Sequence, residues 1–262
     1  TTGWGPATTN SVSGTTNSTS FEVTGLEEGN YEWNCLTTDD GGLTDFADAN
    51  RTFTVSKNYC NKPIQQSLDL YENQTCSGNG ILIGADDVTL DCAGYTINYS
   101  YSGTGGYGVD NGDGYTNVTI KNCNIVEGTI TGSNKHSIYF DGSDNSTIEN
   151  NNITTIGPTS KGILITSFCE NLTVVNNSIT TLANTAPGMD LSISYSNISE
   201  NEVHTAGTTS YGISLGGSNS QVFNNTVFTT GSDGWGIRAA LFSVLPTPPP
   251  PRACPSARVR SA

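Results

Sequence analysis

The stretch NVTIKNCNI at residues 117–125 returns as NSTIENNNI at 145–153, NLTVVNNSI at 171–179 and NSQVFNNTV at 219–227. A degraded copy, SNISENEV, covers 196–203, and DVTLDCAGYTI at 87–97 is an early variant carrying an insertion. Aligned on the central apolar residue, the copies put Leu90, Ile120, Ile148, Val174, Ile198 and Val222 in one column, at spacings of 30, 28, 26, 24 and 24. A second column runs Ile97, Ile125, Ile153, Ile179, Val203, Val227. A third opens each unit after a glycine or small polar residue: Ile81, Val109, Ile138, Ile163, Met189, Ile213, Ile237. Three apolar columns per short repeat predict three short strands per unit. Units of this size cannot bury a core alone and must stack. The expected fold is all-β: a right-handed parallel β-helix of three strands per coil and about six coils over residues 78–238, each coil adding about 4.8 Å.

Three residues after each central apolar position stand Cys123, Asn151, Asn177, Asn201 and Asn225. This spacing places them at the bend between two strands, where asparagine tolerates left-handed geometry and stacked amides hydrogen-bond from coil to coil. Asn151, Asn177, Asn201 and Asn225 are therefore expected to form a structural ladder rather than a ligand comb.

Around the repeats, three other segments differ in character. Residues 57–77 contain the only helix-like stretch and are expected to cap the open sheet edges of the first coil. Residues 1–56 read as strands TSFEVTGL, NYEWNCLTT and RTFTVS separated by turn clusters. The L-x-x-G-x-Y-x-W pattern there resembles the end of an immunoglobulin-like or fibronectin-like module, in which Tyr31 would be the tyrosine-corner residue. Three strands cannot complete such a sandwich, so this segment is read as the partial module of a longer protein. Residues 239–262 form a Pro/Arg-rich tail expected to be disordered, read either as non-native sequence or as a native Pro-rich spacer: from Arg238 onward the chain holds four of its five arginines and no acidic residue.

The 262 residues carry a net charge of −14. Without the stretch from Arg238 onward, 6 basic face 24 acidic residues, net −18. Such a surface repels phosphate backbones and excludes nucleic acid as a partner. No apolar run reaches membrane-span length, so no membrane contact is expected within these residues. Seven cysteines occur. Cys60 and Cys76 bracket the cap, and Cys92 and Cys123 fall at nearly the same bend of adjacent coils, so both pairs are disulfide candidates. Zinc is disfavoured because no C-x-x-C occurs. With eleven N-x-S/T sequons, three of them (Asn117, Asn145, Asn171) at one repeat position, the chain reads as extracellular or on the cell surface of a prokaryote.

The repeat resembles the parallel β-helix repeat family, a pectate-lyase-like solenoid. That resemblance implies, for enzymes, cleavage or epimerisation of acidic polysaccharides using Ca²⁺-bound carboxylates and a basic side chain. Strand alternation points Leu82, Asp110, Tyr139, Leu164, Asp190, Ser214 and Arg238 outward, with Tyr107, His136 and Lys161 aligned just before them. A lyase or epimerase would use His136 and Tyr139 as base and acid, Lys161 to neutralise a uronate, and Asp110 with Asp113 to hold Ca²⁺. No recurrent Asp-Asp pair occurs on the outward strand face, and the body is strongly acidic. The expected function is therefore non-enzymatic: a monomeric structural or adhesive element without a required cofactor, its partners glycans or cell-envelope proteins. A periplasmic copper-binding β-helix is a further relative, but His136, His204 and Met189 are too scattered along the chain to favour it.

Overall fold

The computed structural model describes residues 26, 29–55, 57–102, 105–129, 131–241 and 259–261. Two compact units are present, Thr1–Lys57 and Asn58–Ala262. Every described element is a β-strand.

The second unit is a parallel β-helix built on three sheets. Sheet I has eight strands, from Lys62–Ile64 to Ile237–Leu241. Sheet II has seven, from Leu68–Asp69 to Gln221–Phe223, and sheet III has eight, from Gln74–Thr75 to Val259–Ser261. The pairing follows the apolar columns. Ile120 pairs with Leu90 and Ile148, Ile125 with Ile97 and Ile153, and Ile138 with Val109 and Ile163. These side chains are buried and form one continuous core along the coil axis. In sheet II only the middle residue of each triplet points inward, which is why the motif reads Thr-Ile-Lys or Thr-Ile-Glu: one buried residue between two outward polar ones.

The segment expected to be a helix-like cap is strand and turn instead. Lys62–Ile64, Leu68–Asp69 and Gln74–Thr75 each pair parallel with the following coil, making seven complete coils rather than six. A helix there would leave the backbone edge of the Ile81 coil unpaired, whereas a further coil satisfies it. Cys60–Cys76 closes this first coil on itself, and Cys92–Cys123 joins the next two coils. At the other end, residues 239–241, expected in the tail, continue the sheet I strand, and Val259–Ser261 pairs with Val227–Thr229. The rest of the expected tail lies outside the described residues.

The asparagine column is a buried ladder, with one difference from expectation. Left-handed backbone falls one residue earlier, at Asn122, Asn150, Asn176, Glu200 and Asn224. That residue makes the turn with its side chain outward, so the next one points into the core. Each ladder amide then bonds twice across coils. Asn177 Oδ1 accepts the Asn151 N–H, and Asn177 Nδ2 donates to the Ile148 carbonyl. Asn201 and Asn225 repeat the arrangement on Asn177 and Val174, and on Asn201 and Ile198. The Cys123 N–H donates to Asn151 Oδ1, so the disulfide sits at the head of the ladder.

The first unit consists of two antiparallel pairs, Gly29–Trp33 with Arg51–Val55 and Leu36–Thr38 with Thr44–Phe46. The expected strand 30–38 is interrupted because Asn34 turns aside. Its Oδ1 accepts the Cys35 N–H, and its Nδ2 reaches the Ala47 carbonyl and Asn50 Oδ1. Tyr31 stacks on its cross-strand partner Phe53 at 5.5 Å rather than packing beneath a second sheet of described residues. The expected strand at 19–26 lies outside the described residues apart from Leu26.

Replacing Asn201 by Ala removes acceptors or donors from Asn177, Val174, Ser199 and Asn225 at once. The expected loss is about 2–4 kcal/mol in urea unfolding. Asn152→Ala, which deletes only an exposed amide contact to Asn124, is expected to cost less than about 1 kcal/mol.

Candidate functional site

Strand register on sheet I stacks Asp110, Tyr139, Leu164, Asp190, Ser214 and Arg238 on the outward face. Three residues earlier in each coil, the backbone line passes through Tyr107, His136, Lys161, Pro187, Tyr211 and Trp235. The two lines together form a strip of rings and charges along the coil axis. Tyr107 is its hinge: its ring stacks on His136 at 5.6 Å and lies tilted against Tyr139 at 4.8 Å. Farther along, the Arg238 guanidinium lies 5.1 Å from the Tyr211 ring centroid.

His136, Tyr139 and Lys161 are thus on neighbouring coils, but each is engaged elsewhere. His136 is 5% exposed. Its Nδ1 accepts the Lys161 backbone N–H, which puts the ring proton of the neutral imidazole on Nε2. Burial, and then the charge of Lys161, lower its pKa to about 4, with Asp190 opposing. The Lys161 ammonium is paired with Asp190 at 2.6 Å, and the Tyr139 hydroxyl points to Asp141 at 3.4 Å. A neutral, buried imidazole beside a paired lysine is a structural arrangement more than a proton-transfer device.

Asp110 and Asp113 are close enough for the Asp113 charge to act on Asp110, whose carboxyl is lifted above the usual range mainly by burial. One Asp110 oxygen already accepts the Gly112 N–H. No third His, Cys, Asp or Glu joins the pair to make a metal-holding group, and no such group occurs elsewhere among the described residues. In the first unit, Asp39 ties the turn by accepting the Leu43 N–H.

The soft donors do not converge either. Met189 is wholly buried in the core. Cys169 is buried as well; its sulfur accepts the Ser143 N–H and donates to the Thr166 carbonyl. His204 pairs with Glu202 at 2.9 Å on sheet III and stacks on Phe228.

One feature of the interior was readable in the repeat but is absent from the expected site: Glu127 and Lys135. Glu127 follows the parity of the second column into the core, at the position Thr155, Thr181 and Thr205 hold in later coils. Two of those threonines close the third bend locally, Thr155 Oγ1 on the Ser160 carbonyl and Thr181 Oγ1 on that of Ala186, whereas Thr205 Oγ1 is buried without a hydrogen-bond partner. In the Glu127 coil an ion pair does this work instead. Lys135 Nζ lies 2.8 Å from Glu127 Oε1 with both side chains fully buried, and it also bonds the Thr129 carbonyl. Glu127 Oε2 accepts the Ile156 and Gly157 N–H groups of the next coil. The signal in the sequence is a glutamate at an inward position of the period-two alternation.

The family model for periplasmic copper-binding protein (NosD) matches residues 55–241. No curated protein and no solved structure matches the chain. The chain belongs to the NosD family, so the relative that the residues disfavoured is the one found. Among the described residues, however, no donors converge on a copper centre. Met189 and Cys169 are sealed in the core, His136 has Nδ1 occupied and a cation beside it, and His204 has only Glu202. A periplasmic family and two disulfides agree on an extracytoplasmic, envelope location.

Two outcomes follow. His136 is neutral in the fold and takes up a proton near its ordinary value of 6.5 when unfolded. Its contribution is therefore complete above pH 6.5 and is lost as pH falls toward 4, by about 3 kcal/mol. Stability-pH curves of the wild type and His136→Asn should converge or cross over that window by this amount. Lys135→Met strands the buried Glu127 charge and is expected to cost about 3–5 kcal/mol in chemical unfolding.

Proposed function

We propose that this member of the NosD family is a non-enzymatic structural or adhesive element of the prokaryotic envelope, exposed at the cell surface, whose outward faces contact glycans or neighbouring envelope proteins. The observation that carries this reading is the engagement of the three side chains that would act as base, acid and uronate partner in a polysaccharide-cleaving site. His136 is buried and neutral, Lys161 is held by Asp190, and Tyr139 leans on Tyr107 and Asp141. No arginine stands on the sheet I strip before Arg238, and an acidic chain repels a uronate polymer. What the chain does offer is stiffness: a continuous core, a buried amide ladder and parallel pairing through seven coils. A rod of this kind displays repeated side chains at coil spacing and resists local opening.

Copper, named for the family, has no converging donor set among the described residues, so no step of this function runs through it. The segment 1–56 fits the same reading as part of a modular surface protein.

Incubating the full chain with polygalacturonate and Ca²⁺ separates this reading from the lyase alternative. The expected outcome is no unsaturated product and no new reducing ends, with retention of the chain on isolated envelope polysaccharide. Ca²⁺-dependent product release, abolished by His136→Asn, would overturn the non-enzymatic reading.

A further inference from the structure

Eleven N-x-S/T sequons occur in the chain, and the fold sorts the ten that lie on described residues into three groups. Two are closed. Asn98 and Asn197 each have a buried Oδ1, and the hydroxyl residue two positions on, Ser100 or Ser199, is buried as well. Four are exposed but have the amide nitrogen committed: Nδ2 of Asn117 donates to Asp87, that of Asn152 to Asn124, that of Asn171 to Asn145 and that of Asn176 to Asn150. The other four, Asn50, Asn73, Asn145 and Asn224, are exposed, and their Nδ2 groups donate to no described residue.

Those four meet what glycosyl transfer to asparagine requires. The new bond forms at Nδ2, so that nitrogen must be open to solvent, and the hydroxyl two residues on must be reachable beside it. In three of them the fold holds the other end of the amide. Oδ1 accepts the Asn34 amide at Asn50, the Thr96 N–H at Asn73 and the Asn171 amide at Asn145, leaving Nδ2 as the unengaged end. At Asn145 and Asn224 the backbone is left-handed. The next residue, Ser146 or Asn225, is buried, and Thr147 or Thr226 returns to the outer face. The alternation that builds the coil thus puts amide and hydroxyl on the same side. Coil geometry asks for asparagine at such a bend, but it does not ask for a hydroxyl two residues later: Gln221 follows Asn219 there, and Asn197 follows Tyr195.

We infer that Asn50, Asn73, Asn145 and Asn224 are N-glycosylation sites, modified outside the cytoplasm by transfer from a lipid-linked glycosyl phosphate. The Nδ2–C1 bond forms, the C1–O bond to phosphate breaks, and the Nδ2 proton and the lipid phosphate leave. Adjacent coils are about 4.8 Å apart, so a saccharide on Asn145 excludes a second on Asn117 or Asn171. Asn145 stands at a bend entering sheet II, and Asn73 and Asn224 at bends leaving it. No sequon of the coiled unit lies on a sheet I strand or in the loops that lead into one. The saccharide therefore flanks sheet II and leaves the sheet I strip bare. This inference rests on the envelope location and not on the structural or adhesive reading.

Glycopeptide mass spectrometry of the full chain, purified from its native envelope, tests it. The expected result is saccharide on the peptides of Asn50, Asn73, Asn145 and Asn224, none on Asn98 or Asn197, and no molecule modified at both Asn145 and Asn171. Asn145→Gln and Thr147→Ala should each remove the saccharide from that bend, and Thr147→Ser should retain it, which separates loss of the sequon from loss of the fold. Saccharide that survives Asn145→Gln is carried by another side chain and overturns the assignment of Asn145. A saccharide missing from any one of the four overturns that site. Its absence from all four, occupancy at Asn98 or Asn197, or joint occupancy of Asn145 and Asn171 overturns the inference.

Discussion

The backbone groups of each coil find their partners only in the coils above and below, and the whole unit depends on that dependence being satisfied at every level. A strand of three residues, such as Thr119–Lys121, has no sheet without Thr89–Asp91 on one side and Thr147–Glu149 on the other. At the bend after it, where ladder geometry would otherwise lapse, the buried asparagines carry the bonding through: each Oδ1 takes a backbone N–H from the previous coil and each Nδ2 returns a bond to a carbonyl there. An unpaired amide at that depth has no water to turn to. The disulfide Cys92–Cys123 joins coils at the point where the asparagine column begins, and the Glu127–Lys135 pair holds the third bend where a longer loop replaces the threonine closure.

Much of this was legible because the repeat imposes one inward residue type per column. Three apolar columns define three sheets, and the register between coils follows from matching them. The parts that were not legible are those where the pattern is carried by something other than hydrophobicity. The left-handed residue of the bend precedes the ladder residue, and two adjacent asparagines, as in Asn150–Asn151, give no compositional hint of which one turns and which one points inward. The first coil, 62–75, has lost the repeat's apolar signature at several positions. It reads as a helix-like cap until the open edge of the next coil is considered. In the first unit, strand alternation predicted a single strand through 30–38, but a local Asn34 side-chain bond competes with the ladder and interrupts it.

The candidate site was legible as a line and not as a chemistry. Outward positions of sheet I could be enumerated from parity alone, and the structure does align Tyr107, His136, Tyr139 and Lys161 on adjacent coils. Their states could not be read that way. Whether a histidine is a poised base or a buried neutral ring depends on the backbone N–H aimed at its Nδ1 and on a lysine one coil away, both consequences of stacking. The same holds for the soft side chains a copper site could use: Met189 and Cys169 become core residues once the chain is coiled. The aromatic step His204–Phe228 likewise exists only because two outward positions, 24 residues apart in the chain, come into register.

Native-state hydrogen exchange resolved by residue tests the central claim, that the coils are locked together through the amide ladder, most directly. The account predicts that the backbone N–H groups of Asn151, Asn177 and Asn201, each donated to the next coil's amide oxygen, exchange among the slowest in the chain, together with the core strand amides and through the same opening event. Rapid exchange at those three positions while the strand amides stay protected would contradict it, because the bends would then open independently of the coils they are said to join.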